Sequence, residues 1–320
     1  MPKKGCLGCS FSLTVGILVI VVTLLVIGII SGALGQSIFG ETSVGGLFAI
    51  EKPHIQLPAE TIFHIGGFGV TNTLLTSWIS ILVLVLLCWA VTHRIKIIPS
   101  RMQTLLESAL EWMLNFCIEV AGEKNGRRFF PLVTTIFLFV LMNAWMNLIP
   151  GYGSILVDIG HGHTVHLLRG ANTDINLPLA LALISFAFVI YHGIRALGVH
   201  FFKVWFNFGR FFKGIGELFT GKAKAGFGDI GMGGIDIFVG ILELLSYIFR
   251  NVSFTFRLFG NMTGGEVLIL MMIFLVPWVL AIPFYGLELL VGTIQALVFA
   301  GLTLVFATVA ITPHEAEEAG

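Results

Sequence analysis

IDIFVGILELLSYIFRNVSFTFRLFGNMTGGEVLILMMIFL, residues 235–275, is the stretch on which the reading of this chain turns. It is apolar enough to lie in lipid, yet it carries Glu243, Arg250, Arg257 and Glu266, and the returning stretch up to residue 311 adds Glu288 and Gln295. A charge at the bilayer centre costs about 3 kcal/mol even on the mildest, translocon-derived scale. Polar residues kept at that cost point first to an ion path or a proton relay.

Composition agrees. Only 11% of the 320 residues are charged and 56% belong to the AVILMFWYC set, with a mean hydropathy of +0.95. A soluble domain carries about 25% charged residues. The chain reads as an all-α, polytopic membrane protein whose solvent is the lipid bilayer. The net charge is zero, and nothing indicates a nucleic-acid partner. Cys6 and Cys9 form a CxxC without two further ligands nearby, so they read as free thiols, and Cys88 lies inside an apolar run.

Working outward, the first apolar run, 11–30, follows Lys3 and Lys4 and is long enough to span. Ala33-Leu34-Gly35 resembles a cleavage site, so residues 1–35 are either a signal-anchor or a signal peptide ahead of a helical membrane domain over 36–320. Either way, 36–68 lie outside. Further spans are expected at about 72–91, 130–148 and 177–197. Between the second and third, Leu105, Leu106, Leu110, Met113, Leu114 and Cys117 recur at helical spacing with Glu107, Glu111 and Glu119 between them, which reads as an amphipathic helix at the membrane surface over 101–121. An outer loop over 152–175 carries His161, His163 and His166 in an H-x-H-x-x-H pattern, beside Asp158, Arg169 and Asp174. Such a pattern either ligates a metal or is solvated. A basic inner loop at 200–234 carries Lys203, Arg210, Lys213, Lys222 and Lys224.

The basic residues set the orientation. Of the 18 Lys and Arg, Lys52 and Arg169 fall on the outer side, Arg250 and Arg257 fall within a span, and the rest fall on the inner side. The positive-inside rule then gives six spans with both ends cytoplasmic. No inverted repeat of the kind found in many secondary transporters is evident.

Glu243, Arg250 and Arg257 are spaced by seven and share a helix face, which Asn261 joins. Glu266 falls on the opposite side, about 13.5 Å further along the axis. Glu288 and Gln295 are again seven apart in the last span. An antiparallel hairpin with its turn near Pro277–Pro283 sets Glu266 level with Glu288 and Arg257 level with Gln295. Two carboxyls at one depth disfavour simultaneous ionisation and should raise one pKa, so the pair could accept protons from outside. Arg257 stays charged. It bars a cation from crossing directly, and it attracts a carboxylate on another chain with about 4 kcal/mol at 4 Å and an effective dielectric of 20. Alternatively, Arg250 and Arg257 pair with Glu243 and Glu266 only to hold the bundle.

Phe256-Arg257-Leu258-Phe259-Gly260-Asn261-Met262, followed by Gly264, Gly265 and Glu266, and then by Glu288 and Gln295-Ala296-Leu297-Val298-Phe299, resembles the signature of subunit a of the F-type ATP synthase membrane sector. Val70-Thr71-Asn72-Thr73, residues 143–150 and Asp174-Ile175-Asn176 fit the same family, and the resemblance covers about residues 65–312. It implies a long tilted C-terminal helical hairpin packed against a ring of c subunits, with two offset half-channels, a b-subunit peripheral stalk and the remaining synthase subunits as partners. It implies no cofactor and no bond chemistry in this chain. Arg257 matches the family's essential arginine, and Glu266 and Glu288 match the polar pair of the outer half-channel, the second position often being histidine in relatives. Asn261 and Gln295 match polar residues flanking the arginine. Asp174 and Asn176 are placed at the outer entrance and Glu243 near the inner half-channel. The N-terminal segment points to a bacterial plasma membrane, ahead of an organelle inner or thylakoid membrane. The N-terminal segment and the long inner loop depart from the family pattern.

Two other readings are open to the residues. A self-contained ion channel or secondary transporter predicts flux from the purified chain alone. A membrane-embedded metal enzyme would use His161, His163 and His166, which lie outside the spans and lack an H-E-x-x-H pattern.

Overall fold

The computed structural model describes residues 11–39, 58–93, 95, 100–149, 151–158, 164–198, 201, 213, 215, 223–277 and 279–312. His161, His163, Cys6, Cys9, Lys203, Arg210 and Lys222 lie outside these. The elements are α1 (Phe11–Ser31), α2 (Ala33–Phe39), a hairpin of β1 (Thr61–Ile65) and β2 (Phe68–Thr71), α3 (Asn72–Thr92), α4 (Arg101–Asn147), a second hairpin of β3 (Leu156–Asp158) and β4 (Thr164–His166), α5 (Asn176–Leu197), α6 (Ala223–Leu275) and α7 (Ala281–Ile311). α1, α3, α4, α5, α6 and α7 are each long and apolar enough to cross a membrane. The chain is a multi-pass, all-α membrane protein, as expected from its composition.

α4 is two helices. Gly122 breaks it with φ 76° and ψ 164°, a conformation essentially reserved for glycine. The chain then doubles back so tightly that a Cβ on Gly126 would lie 2.6 Å from the Cys117 carbonyl oxygen. The amphipathic segment expected over 101–121 therefore ends at the glycine, and the charged stretch from Glu123 to Arg128 follows before the apolar segment begins at Phe129. α6 begins earlier than the apolar pattern alone suggests, at Ala223. Its apolar part, Ile230–Leu275, has 46 residues, more than twice the ~20 that a perpendicular crossing needs.

The two hairpins were not foreseen. β1 and β2 join through Gly66 and Gly67, both with positive φ, the pair that a two-residue hairpin turn favours. β2 runs into α3, where the Thr71 hydroxyl accepts the Leu74 N–H at 3.3 Å and so caps the helix.

The chain forms two compact units interleaved in sequence. The first holds residues 1–78, 143–174 and 260–294. In it α1 meets the end of α6 through Gly28 and Gly32: a Cβ on Gly28 would lie 2.6 Å from the Pro277 carbonyl, and one on Gly32 would meet that of Leu275. Small residues four apart allow this backbone approach in lipid. The second unit holds residues 79–142, 175–259 and 295–320. Its core includes Met113, Cys117, Phe129, Val133, Leu258, Phe299 and Leu304. The His192 ring sits among Phe188, Phe129 and Tyr191, with centroids 4.5, 4.9 and 5.1 Å away. Ser185 and Thr303 share a buried hydrogen bond of 2.8 Å between α5 and α7.

Gly122→Ala should destabilise the purified protein by about 1–3 kcal/mol, because the break requires a backbone that alanine resists. Gly16→Ala, with open space around it, should leave stability unchanged. Loss of helical circular dichroism on heating distinguishes the two.

Candidate functional site

In the first unit a cavity of about 270 Å³ opens between the end of β4, the turn that follows it, α6 and α7. Its polar lining is Glu60, Asn72, Asn147, Tyr152, His166, Arg169, Glu266 and Tyr285. Arg169 and Glu266 form an ion pair: Nε lies 3.3 Å from Oε1, and Nε and Nη2 both donate to Oε2 at 3.4 Å. Nη1 donates to the Pro58 carbonyl at 3.2 Å. The two side chains are only 10% and 24% exposed. Removing one partner of such a pair leaves the other charge unsatisfied, at a cost of about 3–5 kcal/mol when buried.

Local chemistry sets Arg169 in place. Gly170 follows it with its Cα against the Asn147 amide, where a Cβ would lie 2.8 Å from Cγ. The Thr173 hydroxyl then donates to the Gly170 carbonyl at 2.7 Å and closes the turn. Asn72, fully buried, donates to the His166 carbonyl at 3.3 Å, and the His166 ring bonds the Gly153 carbonyl. Burial pushes the Tyr152 phenol above its ordinary pKa, so it stays neutral at the cavity wall. Asp174 accepts the Thr73 hydroxyl at 3.1 Å. Asn176 is exposed at the first residue of α5.

Glu288 is 7% exposed, and its carboxyl lies over the Cα of Gly265 in space that any side chain there would occupy. Glu288 thus meets α6 one residue from Glu266, as the hairpin register predicts. Four residues on, Gly292 faces Ala144, where a Cβ would lie 2.9 Å from the alanine methyl. Glu266 itself is committed to Arg169, a partner that the sequence did not suggest. The one available signal was that Arg169 is a rare cation on the outer side.

In the second unit Arg250 and Arg257 differ sharply. The Arg250 guanidinium lies 3.7 Å from the Phe306 ring centroid and 4.6 Å from that of Tyr247, a cation–π clamp that gives it a structural role. Arg257 is exposed, as are Ser253 and Gly260 on the same face of the helix, and it makes no ion pair or hydrogen bond among the described residues. Glu243 is half-buried and Gln295 is buried. Asn261, assigned to the first unit, is exposed. The reading in which these arginines serve only to pair with Glu243 and Glu266 therefore fails for Glu266, whose partner is Arg169.

An exposed arginine on an apolar helix, with an acidic cavity elsewhere on the chain, fits the expected family, and comparison with known proteins agrees. Residues 74–308 match the family described as ATP synthase A chain. The chain belongs to that family. It is 31% identical over 244 residues to the ATP synthase subunit a of Gloeobacter violaceus, covering 76% of this chain and 85% of that one. It is 28% identical to the ATP synthase subunit a of Moorella thermoacetica over 245 residues, 77% of this chain and 93% of the other. The corresponding protein of a Nitratiruptor strain is 28% identical over 225 residues, 70% and 82% of the two chains. All three matches leave part of this chain uncovered.

Gly265→Leu should displace the Glu288 carboxyl and reduce proton conduction by membranes carrying the assembled complex at least tenfold. Gly264→Ala, with nothing within 4 Å of its added methyl, should conduct normally.

Proposed function

We propose that this chain is the proton-translocating stator subunit of an F-type ATP synthase, which converts a transmembrane ion gradient into rotation of a c-subunit ring. The observation that carries the reading is Arg257, exposed on the apolar helix α6 and without a counter-charge among the described residues. A guanidinium cannot be neutralised by losing its proton. In lipid it needs an anion, and the ring's carboxylate on a neighbouring chain supplies one.

Protons enter from the outer side through the cavity and reach Glu266 and Glu288, then pass to the ring. Asp174 and Asn176 belong to the outer entrance, Asn261 and Gln295 flank the arginine, and Glu243 belongs to the inner exit. Arg257 draws each ionised ring carboxylate toward it and keeps protons from leaking directly between the two half-channels. Bond chemistry is left to other subunits, so this chain is not itself catalytic. The b-subunit stalk and the remaining synthase subunits hold it against the ring, in a bacterial plasma membrane.

Arg257→Gln in the assembled complex should abolish proton-driven ATP synthesis while the complex still assembles; synthesis at the native rate would overturn the mechanism. The purified chain in liposomes, without a ring, should show no sustained proton flux, whereas a self-contained channel or transporter would conduct.

A further inference from the structure

The residues assigned to the outer half-channel by resemblance are Glu266 and Glu288, yet within the first unit they are held in different ways. Glu288 lies buried over Gly265 and makes no ion pair among the described residues. Glu266 is gripped by a guanidinium that reaches it from 97 residues away in sequence. Both edges of that guanidinium are occupied, one by the carboxylate and the other by the Pro58 carbonyl. The remaining titratable groups on the cavity wall are Glu60, His166, Tyr152 and Tyr285, with Glu288 beside Gly265.

We propose that Arg169 is a positioning residue for proton uptake: it holds the Glu266 carboxylate as the charged wall of the cavity, and a proton arriving from outside must compete with its guanidinium for that carboxylate. Uptake forms one O–H bond on Glu266 and loosens the ion pair. The guanidinium keeps its own protons and its charge, stays tethered to the Pro58 carbonyl, and closes on Glu266 again once the proton has moved on. The pair therefore acts as a latch that reopens with each proton. This rests on the proton-conducting reading above.

The test uses the complete complex in sealed vesicles. Proton flux is measured against outer pH at fixed inner pH, and then the reverse. In Arg169→Gln a proton no longer competes with a cation for Glu266, so the midpoint of the outer-pH curve should move. The inner-pH curve should keep its midpoint. A merely structural role would lower both curves without moving either. Glu266→Asp, which keeps the acid but withdraws it from the guanidinium by one methylene, should also move the outer midpoint and decides the matter if Arg169→Gln does not assemble. An outer midpoint that stays in place in whichever variant assembles, or curves that move equally on both sides, would overturn the proposal. Arg257→Gln, measured in parallel, separates this from the underlying reading: native flux in that variant would sink the proton-conducting role itself.

Discussion

A guanidinium cannot shed its charge inside a membrane, and Arg169, Arg250 and Arg257 meet that constraint in three different ways. Arg169 is satisfied by a carboxylate and a backbone carbonyl. Arg250 is satisfied by the faces of Phe306 and Tyr247. Arg257 finds no ion pair or hydrogen bond among the described residues and is exposed together with Ser253 and Gly260 on its face of the helix. A fixed positive charge exposed on an apolar helix is costly in lipid until a polar or charged group meets it. A rotary partner must bind and release at each step, and an arginine committed within its own bundle would not be available to it.

The glycines of α6 and α7 serve the same economy of space. Gly265 opens the notch that receives the Glu288 carboxyl, and Gly292 brings α7 against Ala144. A side chain at either position would push the helices apart where polar groups must meet. Gly264, one residue from the notch, faces open space, so the requirement is positional and not a general preference for small residues.

Much of the helical framework could be read from the chain, because a bilayer demands long apolar runs and Lys and Arg mark their inner ends. α3 and α5 fall where expected. The break at Gly122 ends the amphipathic half of α4, and the charged residues 123–128 lie between it and the apolar half. The start of α6 was hidden because 225–234 are rich in glycine, which weakens the helical signal. The hairpins were missed because strands of three to five residues leave little periodicity, and only Gly66-Gly67 marked a turn. The level placement of Glu288 with the Gly265–Glu266 step followed from helical spacing alone. Arg169 did not, since its partner lies 97 residues away and loop residues carry no period from which a contact can be read.

The most direct test of the central claim is disulfide crosslinking in the assembled synthase, pairing single cysteines on α6 with a cysteine beside the ion-binding carboxylate of the c subunit. Ser253→Cys and Gly260→Cys, exposed and four and three residues from Arg257 on the same helix face, should crosslink to the ring in high yield, and Phe254→Cys and Leu258→Cys, which are buried, should not. Crosslinking from the buried pair, or none from the exposed pair in a functional complex, would show that Arg257 does not face the rotor.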